Sequence, residues 1–230
     1  MSVSRKIFYR AASIFCVVAL FFLILTASIG LPIYCRAFYY AHIGALDLPE
    51  NTGFSAEEIR VAYDEVLDYL TLPGREFSAG GMGFSAEGAA HFADCKALFD
   101  LNAGVLIGAA VCLAVLWGLR KGLNLPKFTI GRHTSGCYAG IFAVVLPVIL
   151  GGLAALDFER AFEIFHGIFF PGKTNWLFDP AIDQIIQVMP MEFFRNCGIF
   201  IGCGVVIFSG ILLIRDYLFC KKNDESGGKL

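Results

Sequence analysis

Apolar residues in this chain gather in long blocks instead of recurring at a short helical or strand period. Four blocks, 11–33, 101–119, 137–156 and 198–214, contain no Lys, Arg, Asp or Glu. About 20 mostly apolar residues cross a bilayer core. The first three blocks are close to or above that length, and the fourth can borrow Phe193 and Phe194 at one end. Within lipid a crossing segment must satisfy its own backbone donors and acceptors, so each block is predicted to be a helix. The expected fold is all-α: an integral membrane four-helix bundle with two extracytoplasmic helical loops, forming a single domain over residues 1–230.

Composition agrees with this pattern. Of 230 residues, 57% are hydrophobic and 17% charged, too little charge for a soluble domain of this size. The net charge of −2 comes without any basic run, so no nucleic-acid partner is expected. The first block can also be read as a cleaved signal peptide. Its length and the bulky Pro32-Ile33-Tyr34-Cys35 exit favour an uncleaved anchor.

Positive charge sets the expected orientation. Arg5, Lys6 and Arg10 precede the first block, and Arg120, Lys121, Lys127 and Arg132 separate the second from the third. Arg215, Lys221, Lys222 and Lys229 follow the fourth, and only Asp216, Asp224 and Glu225 oppose them on this side. The basic side is therefore expected in the cytoplasm, with both termini. Segments 34–100 and 157–196 then lie outside. Cys16, Cys112 and Cys203 fall within blocks, and Cys137 and Cys197 at block ends, with neither a disulfide nor a zinc-finger spacing. Cys35 and Cys95 share the outer side, so a disulfide between them is an open alternative.

The outer segments carry local signals. Ser55-Ala56-Glu57-Glu58 is a capping box. Ile59, Tyr63, Val66, Leu67 and Leu70 follow at helical spacing, and Pro73-Gly74 stops the run. The result is an amphipathic helix lying on the outer leaflet or packed over the bundle, and neither placement excludes the other. Residues 74–83 hold four glycines and are expected to be a mobile linker, with a lid as the alternative. Ser85 is expected to cap a helix running through His91 and Phe99 into the second block. In the second outer segment, Asp179 and Pro180 should start a helix over 180–189 lying in the membrane interface.

His42 and His133 lack chemical context in the sequence and read as surface residues. His91 and His166 each lie about ten residues beyond the outer end of neighbouring antiparallel blocks. If both helices continue, each imidazole sits roughly 15 Å along the chain from those ends. Two imidazoles at one height are suited to proton transfer near neutral pH. Glu87 and Asp94 flank His91, and Glu163 precedes His166, at spacings that put a carboxylate on the same helix face. Ordinary interfacial histidines are the plain alternative. A metal at His91, Cys95 and His166 is the other reading, but no His-x-x-x-His or paired Cys spacing supports it. No metal and no cofactor are expected.

These residues carry a resemblance. His91-Phe92-Ala93-Asp94-Cys95-Lys96-Ala97-Leu98-Phe99 and Phe165-His166-Gly167-Ile168-Phe169-Phe170 resemble segments of the lipoprotein intramolecular transacylase family, Lit, of bacterial four-helix membrane proteins. Asn175-Trp176, Phe178-Asp179-Pro180 and Pro190-Met191-Glu192-Phe193-Phe194 add to it, in order. The chain departs at Glu87 and Gly88, where many members carry an Arg-Glu pair, and at Cys95, where a hydrophobic residue often stands.

The resemblance implies an acyltransferase that moves the sn-2 acyl chain of a diacylglyceryl-modified lipoprotein to its N-terminal cysteine α-amino group, giving the lyso-form. It implies a bacterial cell membrane location, with diacylated lipoprotein and membrane phospholipid as partners. The family's two essential histidines map onto His91 and His166; our reading makes His166 the primary base and His91 its partner, with the reverse assignment left open. Lys96, Asn175 or backbone N–H groups would stabilise the oxyanion. Phe162, Phe165, Phe169 and Trp176 would line an acyl groove or, equally, form an aromatic interface belt. From spacing alone, and not from the resemblance, Glu87, Asp94 and Glu163 would support the pair. The alternative is a non-enzymatic membrane scaffold or transporter subunit; the absence of ionisable groups from the four blocks weakens transport.

Overall fold

The computed structural model describes residues 3–227, the side chain of Leu153 apart; Lys229, counted with the basic flank, lies outside them. Nine helices and one two-stranded hairpin occur among the described residues: α1 (Val3–Tyr34), α2 (Arg36–Ala45), α3 (Leu48–Thr52), α4 (Ala56–Thr71), α5 (Ala86–Gly122), β1 (Thr129–Ile130), β2 (His133–Thr134), α6 (Ser135–Leu156), α7 (Phe158–Phe169), α8 (Ile185–Val188) and α9 (Met191–Gly227). The all-α expectation holds. The four apolar blocks fall inside α1, α5, α6 and α9, the four helices long and apolar enough to cross a membrane.

The chain divides into two compact units. The first comprises 1–29, 103–150 and 201–230, and the second 30–102 and 151–200. In the first unit Ile24, Ala143 and Val205 join α1, α6 and α9, while Ala12, Leu116 and Phe128 join α1 to α5 and the hairpin approach. A Cβ on Gly140 would lie 3.2 Å from the Ser209 carbonyl, so glycine allows the close α6–α9 backbone approach that membrane helices favour. Ile107, Val111 and Val115, four residues apart along α5, stay more than half exposed, as a lipid-facing stripe requires. Tyr9 Oη donates to the Lys127 carbonyl at 2.6 Å and accepts from Thr129 N at 3.0 Å, which ties α1 to the hairpin.

The second unit has an aromatic core of its own. Tyr39 stacks on Tyr63 with centroids 3.6 Å apart, Phe193 meets Tyr39 edge-on at 5.1 Å, and Tyr39 Oη donates to the Val188 carbonyl at 2.7 Å. The capping box forms as the sequence indicates: Ser55 Oγ accepts from Glu58 N, and the Glu58 carboxylate accepts from Ser55 N at 2.8 Å. The apolar face of α4 (Ile59, Ala62, Tyr63, Val66, Leu67, Leu70) is buried in this core. That face of the helix therefore packs against protein.

Two local expectations are corrected. Residues 74–83 are not a loose linker. Gly80 N donates to the Glu65 carboxylate at 2.7 Å, Ala79 and Met82 are buried, and Gly83 N donates to Gln184 Oε1 at 2.7 Å. The helix expected over 180–189 shrinks to α8. The Asp179 carboxylate accepts from Ala181 N at 2.9 Å and closes a turn there. Asp183, which that helix would have turned outward, instead is buried and accepts from Ser85 N at 2.7 Å.

Candidate active site

His91 sits on α5, which runs unbroken past it into the apolar block at 101–119, as Ser85 begins the helix by accepting from Gly88 N at 2.8 Å. His166 arrives differently. The third apolar helix does not continue through it: α6 ends at Leu156, Asp157 takes an extended conformation, and its carboxylate accepts from Arg160 N at 2.9 Å to start α7 afresh. A capped break replaces the straight helix, and the 15 Å extrapolation does not describe this side. The two histidines nevertheless come together within the second unit.

Their ring centroids are 5.6 Å apart and each residue is 5% exposed. Phe170 and Phe178 present their rings to His91 at 4.9 and 5.5 Å. Trp176 stacks on His166 at 4.5 Å, and Phe162 lies 4.2 Å from the same ring. These surroundings disfavour charge. Burial, with the neighbouring His166 second, pushes the His91 imidazole down to about 4. Burial also lowers His166, partly offset by its backbone hydrogen bond.

Each imidazole has one ring nitrogen engaged. His166 Nδ1 lies 2.8 Å from the Phe162 carbonyl, which can only accept, so Nδ1 carries the hydrogen and Nε2 keeps its lone pair. His91 Nε2 lies 3.4 Å from the Cys95 Sγ, one turn along α5, while His91 Nδ1 is buried without a protein partner. Burial pushes the Cys95 thiol up to about 12, so it stays protonated and can donate to Nε2. Cys35 and Cys95 are both free thiols.

The other sequence candidates divide. Asp94 accepts from Asn175 Nδ2 at 3.1 Å and pairs with Lys173, which together hold its carboxyl below the usual carboxylate range. It thereby fixes segment 170–176 to α5. Asn175 is left with a buried, unpartnered Oδ1, an acceptor. Glu163 faces Arg160 at 2.8 Å rather than an imidazole, and Glu87 is exposed on the wall of a cavity of about 540 Å³. Lys173, Asn175, Asp179 and Asp183 line the same cavity. Phe165 and Phe169 are about half exposed and touch each other at 4.7 Å.

Lys96 does not join this group. It lies five residues after His91, about 140° around the helix, and its ammonium donates to the carbonyls of Tyr69 and Leu72 at 2.7 and 3.1 Å. That is a cation at the C-terminus of α4. Asn175 Nδ2 gives one of its two hydrogens to Asp94.

The sequence reading missed Lys173 and the Phe162 carbonyl, and it paired Cys95 with His91 only as a possible metal ligand. Cys95 and the Phe162 carbonyl each had a local signal, a polar atom one helical turn from a histidine. His42 also has partners and is only partly exposed. Its Nδ1 donates to the Phe38 carbonyl at 2.7 Å, and its Nε2 lies 3.1 Å from Asn196 Nδ2.

Comparison with known proteins places the chain among relatives of known fold. The family model "Lipoprotein intramolecular transacylase Lit" matches residues 14–194. The solved structure of the membrane integral lipoprotein intramolecular transacylase Lit from Bacillus cereus aligns at TM-score 0.86 and 22% identity, over 96% of this chain and 99% of that one. A structure of that protein with one histidine changed to alanine aligns at TM-score 0.79 and 22% identity, over 96% and 97%. At this identity the likeness shows the fold. An uncharacterized protein of Aquifex aeolicus (strain VF5) is 35% identical over 85 residues, 37% of this chain and 38% of that protein. The match therefore spans well under half of that curated relative.

Proposed function

The chain belongs to the lipoprotein intramolecular transacylase family, and from that premise we propose that it moves the sn-2 acyl chain of a diacylglyceryl-modified lipoprotein onto the α-amino group of that lipoprotein's N-terminal cysteine. The ester between acyl carbon and glycerol oxygen breaks, and an amide forms. The proton lost by the amine ends on the glycerol oxygen. Donor and acceptor belong to one molecule, so no co-substrate enters, and holding the two ends together supplies much of the rate as effective molarity.

The observation that carries this reading is the pair of buried, neutral imidazoles, 5.6 Å apart, with complementary free nitrogens. His166 Nε2 offers a lone pair to take the amine proton and return it to the departing glycerol oxygen. His91, with the Cys95 thiol donating to Nε2, carries its hydrogen on the unpartnered Nδ1. That N–H is a fixed donor for the carbonyl oxygen as it gains charge. Asn175 Oδ1 is an acceptor without a partner and suits the N–H of the attacking amine. The 540 Å³ cavity has Glu87, Lys173, Asn175 and Asp179 on its walls and neither imidazole, so it would hold polar peptide beyond the reacting cysteine. Phe165 and Phe169 offer an apolar surface to the acyl chains. Trp176 serves by holding the His166 ring.

The charge pattern supports a multi-pass protein of the bacterial cell membrane, surrounded by phospholipid, with both termini in the cytoplasm and the histidine pair outside. Mass spectrometry tests the reaction. Purified protein incubated with a synthetic diacyl lipopeptide should give a product of unchanged mass whose fragments show an N-acyl group and a lyso-glyceryl thioether. His91→Ala and His166→Ala variants that both keep full activity would overturn the mechanism.

A further inference from the structure

The first unit contains a further histidine with chemical context. His133 opens the returning strand of the hairpin, and Cys137 lies four residues on, in the first turn of α6. Asp216 and Cys220 are also four residues apart, one turn of α9, and so share a face. His133 Nδ1 is 2.7 Å from Asp216 Oδ2. Ligand atoms of His133, Cys137 and Asp216 all lie within 4.8 Å of one another. The Cys220 Sγ is 3.8 Å from His133 Nδ1 and 3.9 Å from Asp216 Oδ2.

We propose that His133, Cys137, Asp216 and Cys220 form a binding site for one divalent, thiol-seeking metal ion, zinc by its donor set. Two sulfurs, an imidazole nitrogen and a carboxylate oxygen are the mixture zinc takes tetrahedrally. A tetrahedral shell with zinc–ligand distances of 2.0–2.3 Å sets ligand atoms roughly 3.3–3.8 Å apart. The two Cys220 separations are already close to that range, and the His133–Asp216 contact needs to open by about half an ångström. Asp216 is oriented from behind: its Oδ1 accepts from Thr134 N at 2.7 Å, leaving Oδ2 toward the cluster. Such an outer hydrogen bond is what fixes a ligating carboxylate. Cys137, Asp216 and Cys220 are each less than a tenth exposed, with His133 exposed at the rim, and the Cys220 thiol also lies 3.6 Å from the Arg132 carbonyl. In the orientation proposed above, the site faces the reducing cytosol, where both thiols remain available. The ion would staple the hairpin and the start of α6 to α9.

The competing account is a metal-free clamp, in which Asp216 alone holds the hairpin and the thiols are passive. Metal analysis of the full-length protein, purified in detergent without a histidine tag, separates the two. One zinc per chain is expected. After chelator treatment, zinc should rebind in competition with a chromophoric chelator. Cys137→Ser and Cys220→Ser should each weaken that binding at least tenfold. Cobalt(II) added in place of zinc should give a thiolate-to-cobalt absorption band that fades in each serine variant. Binding that both serine variants retain unchanged, or cobalt bound without a thiolate band, overturns the proposal. The cobalt spectrum of the unsubstituted chain decides even if a variant fails to fold. None of these readouts uses acyl transfer, so failure here is distinct from failure at His91 and His166.

Discussion

His166 Nδ1 lies 2.8 Å from the Phe162 carbonyl, one turn back along α7. This contact decides which nitrogen can act as a base, because a carbonyl accepts only and the opposite nitrogen then holds the lone pair. His166→Asn keeps an N–H near the Nδ1 position and deletes Nε2. Loss of a general base typically costs 10²–10⁴-fold. Turnover of a diacyl lipopeptide by this variant should fall by about 100-fold or more, with unfolding temperature little changed. Turnover within a few-fold of the unsubstituted chain would remove Nε2 from the chemistry.

Burial gives His91 a pH signature. Its folded value is pushed down to about 4, whereas an unfolded histidine titrates near 6.5. Between those values the unfolded chain binds a proton that the folded chain refuses, so stability rises with pH. The contribution is complete above about 6.5 and is lost as pH falls toward 4, with an upper magnitude of about 3 kcal/mol. Thermal unfolding in detergent from pH 7 to pH 4.5 should show the unsubstituted chain losing stability faster than His91→Gln. Parallel curves would mean that His91 is not held neutral by its surroundings.

Gly88 is packed where no other residue fits. A Cβ there would come 2.2 Å from Asp183 Oδ1, the carboxylate oxygen that accepts from both the amide and the hydroxyl of Ser85. Gly88→Ala must displace Asp183 and leave those donors wanting, at a cost of about 1–3 kcal/mol. A lower unfolding temperature is expected for Gly88→Ala and little change for Gly104→Ala, where an added Cβ meets nothing within 4 Å. Equal behaviour of the two would show that the Ser85–Asp183 tether does not hold.

Much of this architecture was legible because the signals are local. The four charge-free blocks, the capping box at Ser55 and Glu58, and the cap at Ser85 are each contained within a short stretch, and all three appear as read. The continuous helix through His91 followed from them. The break at Asp157 was harder, since an aspartate after an apolar run ends one helix or caps the next with the same residue. Segment 180–189 misled because Asp183 has an outward-facing place on a lone helix, yet its carboxylate is used by Ser85, nearly a hundred residues away in sequence. Lys96 was assigned from a motif, while the carbonyls that hold it belong to α4. His133 lacked context because its partners are on α9, more than eighty residues on. Pairings at such separation leave no trace in spacing.

Cys95 supplies the last test, as a positioning residue acting through His91. With the thiol protonated and 3.4 Å from Nε2, the His91 tautomer with hydrogen on Nδ1 is the one that satisfies both groups. Alanine at 95 removes that preference, so the ring divides between tautomers, and only one of them presents a donor at Nδ1. Cys95→Ala should lower kcat several-fold while KM changes little, because Phe165, Phe169 and the residues lining the cavity are untouched. Cys95→Ser retains a donor and should recover much of the loss. A purely packing role predicts the reverse order, since the apolar alanine suits a buried site better than serine does. Measuring kcat and KM for both variants on one lipopeptide, with unfolding temperatures alongside, separates orientation of the imidazole from filling of the space beside it.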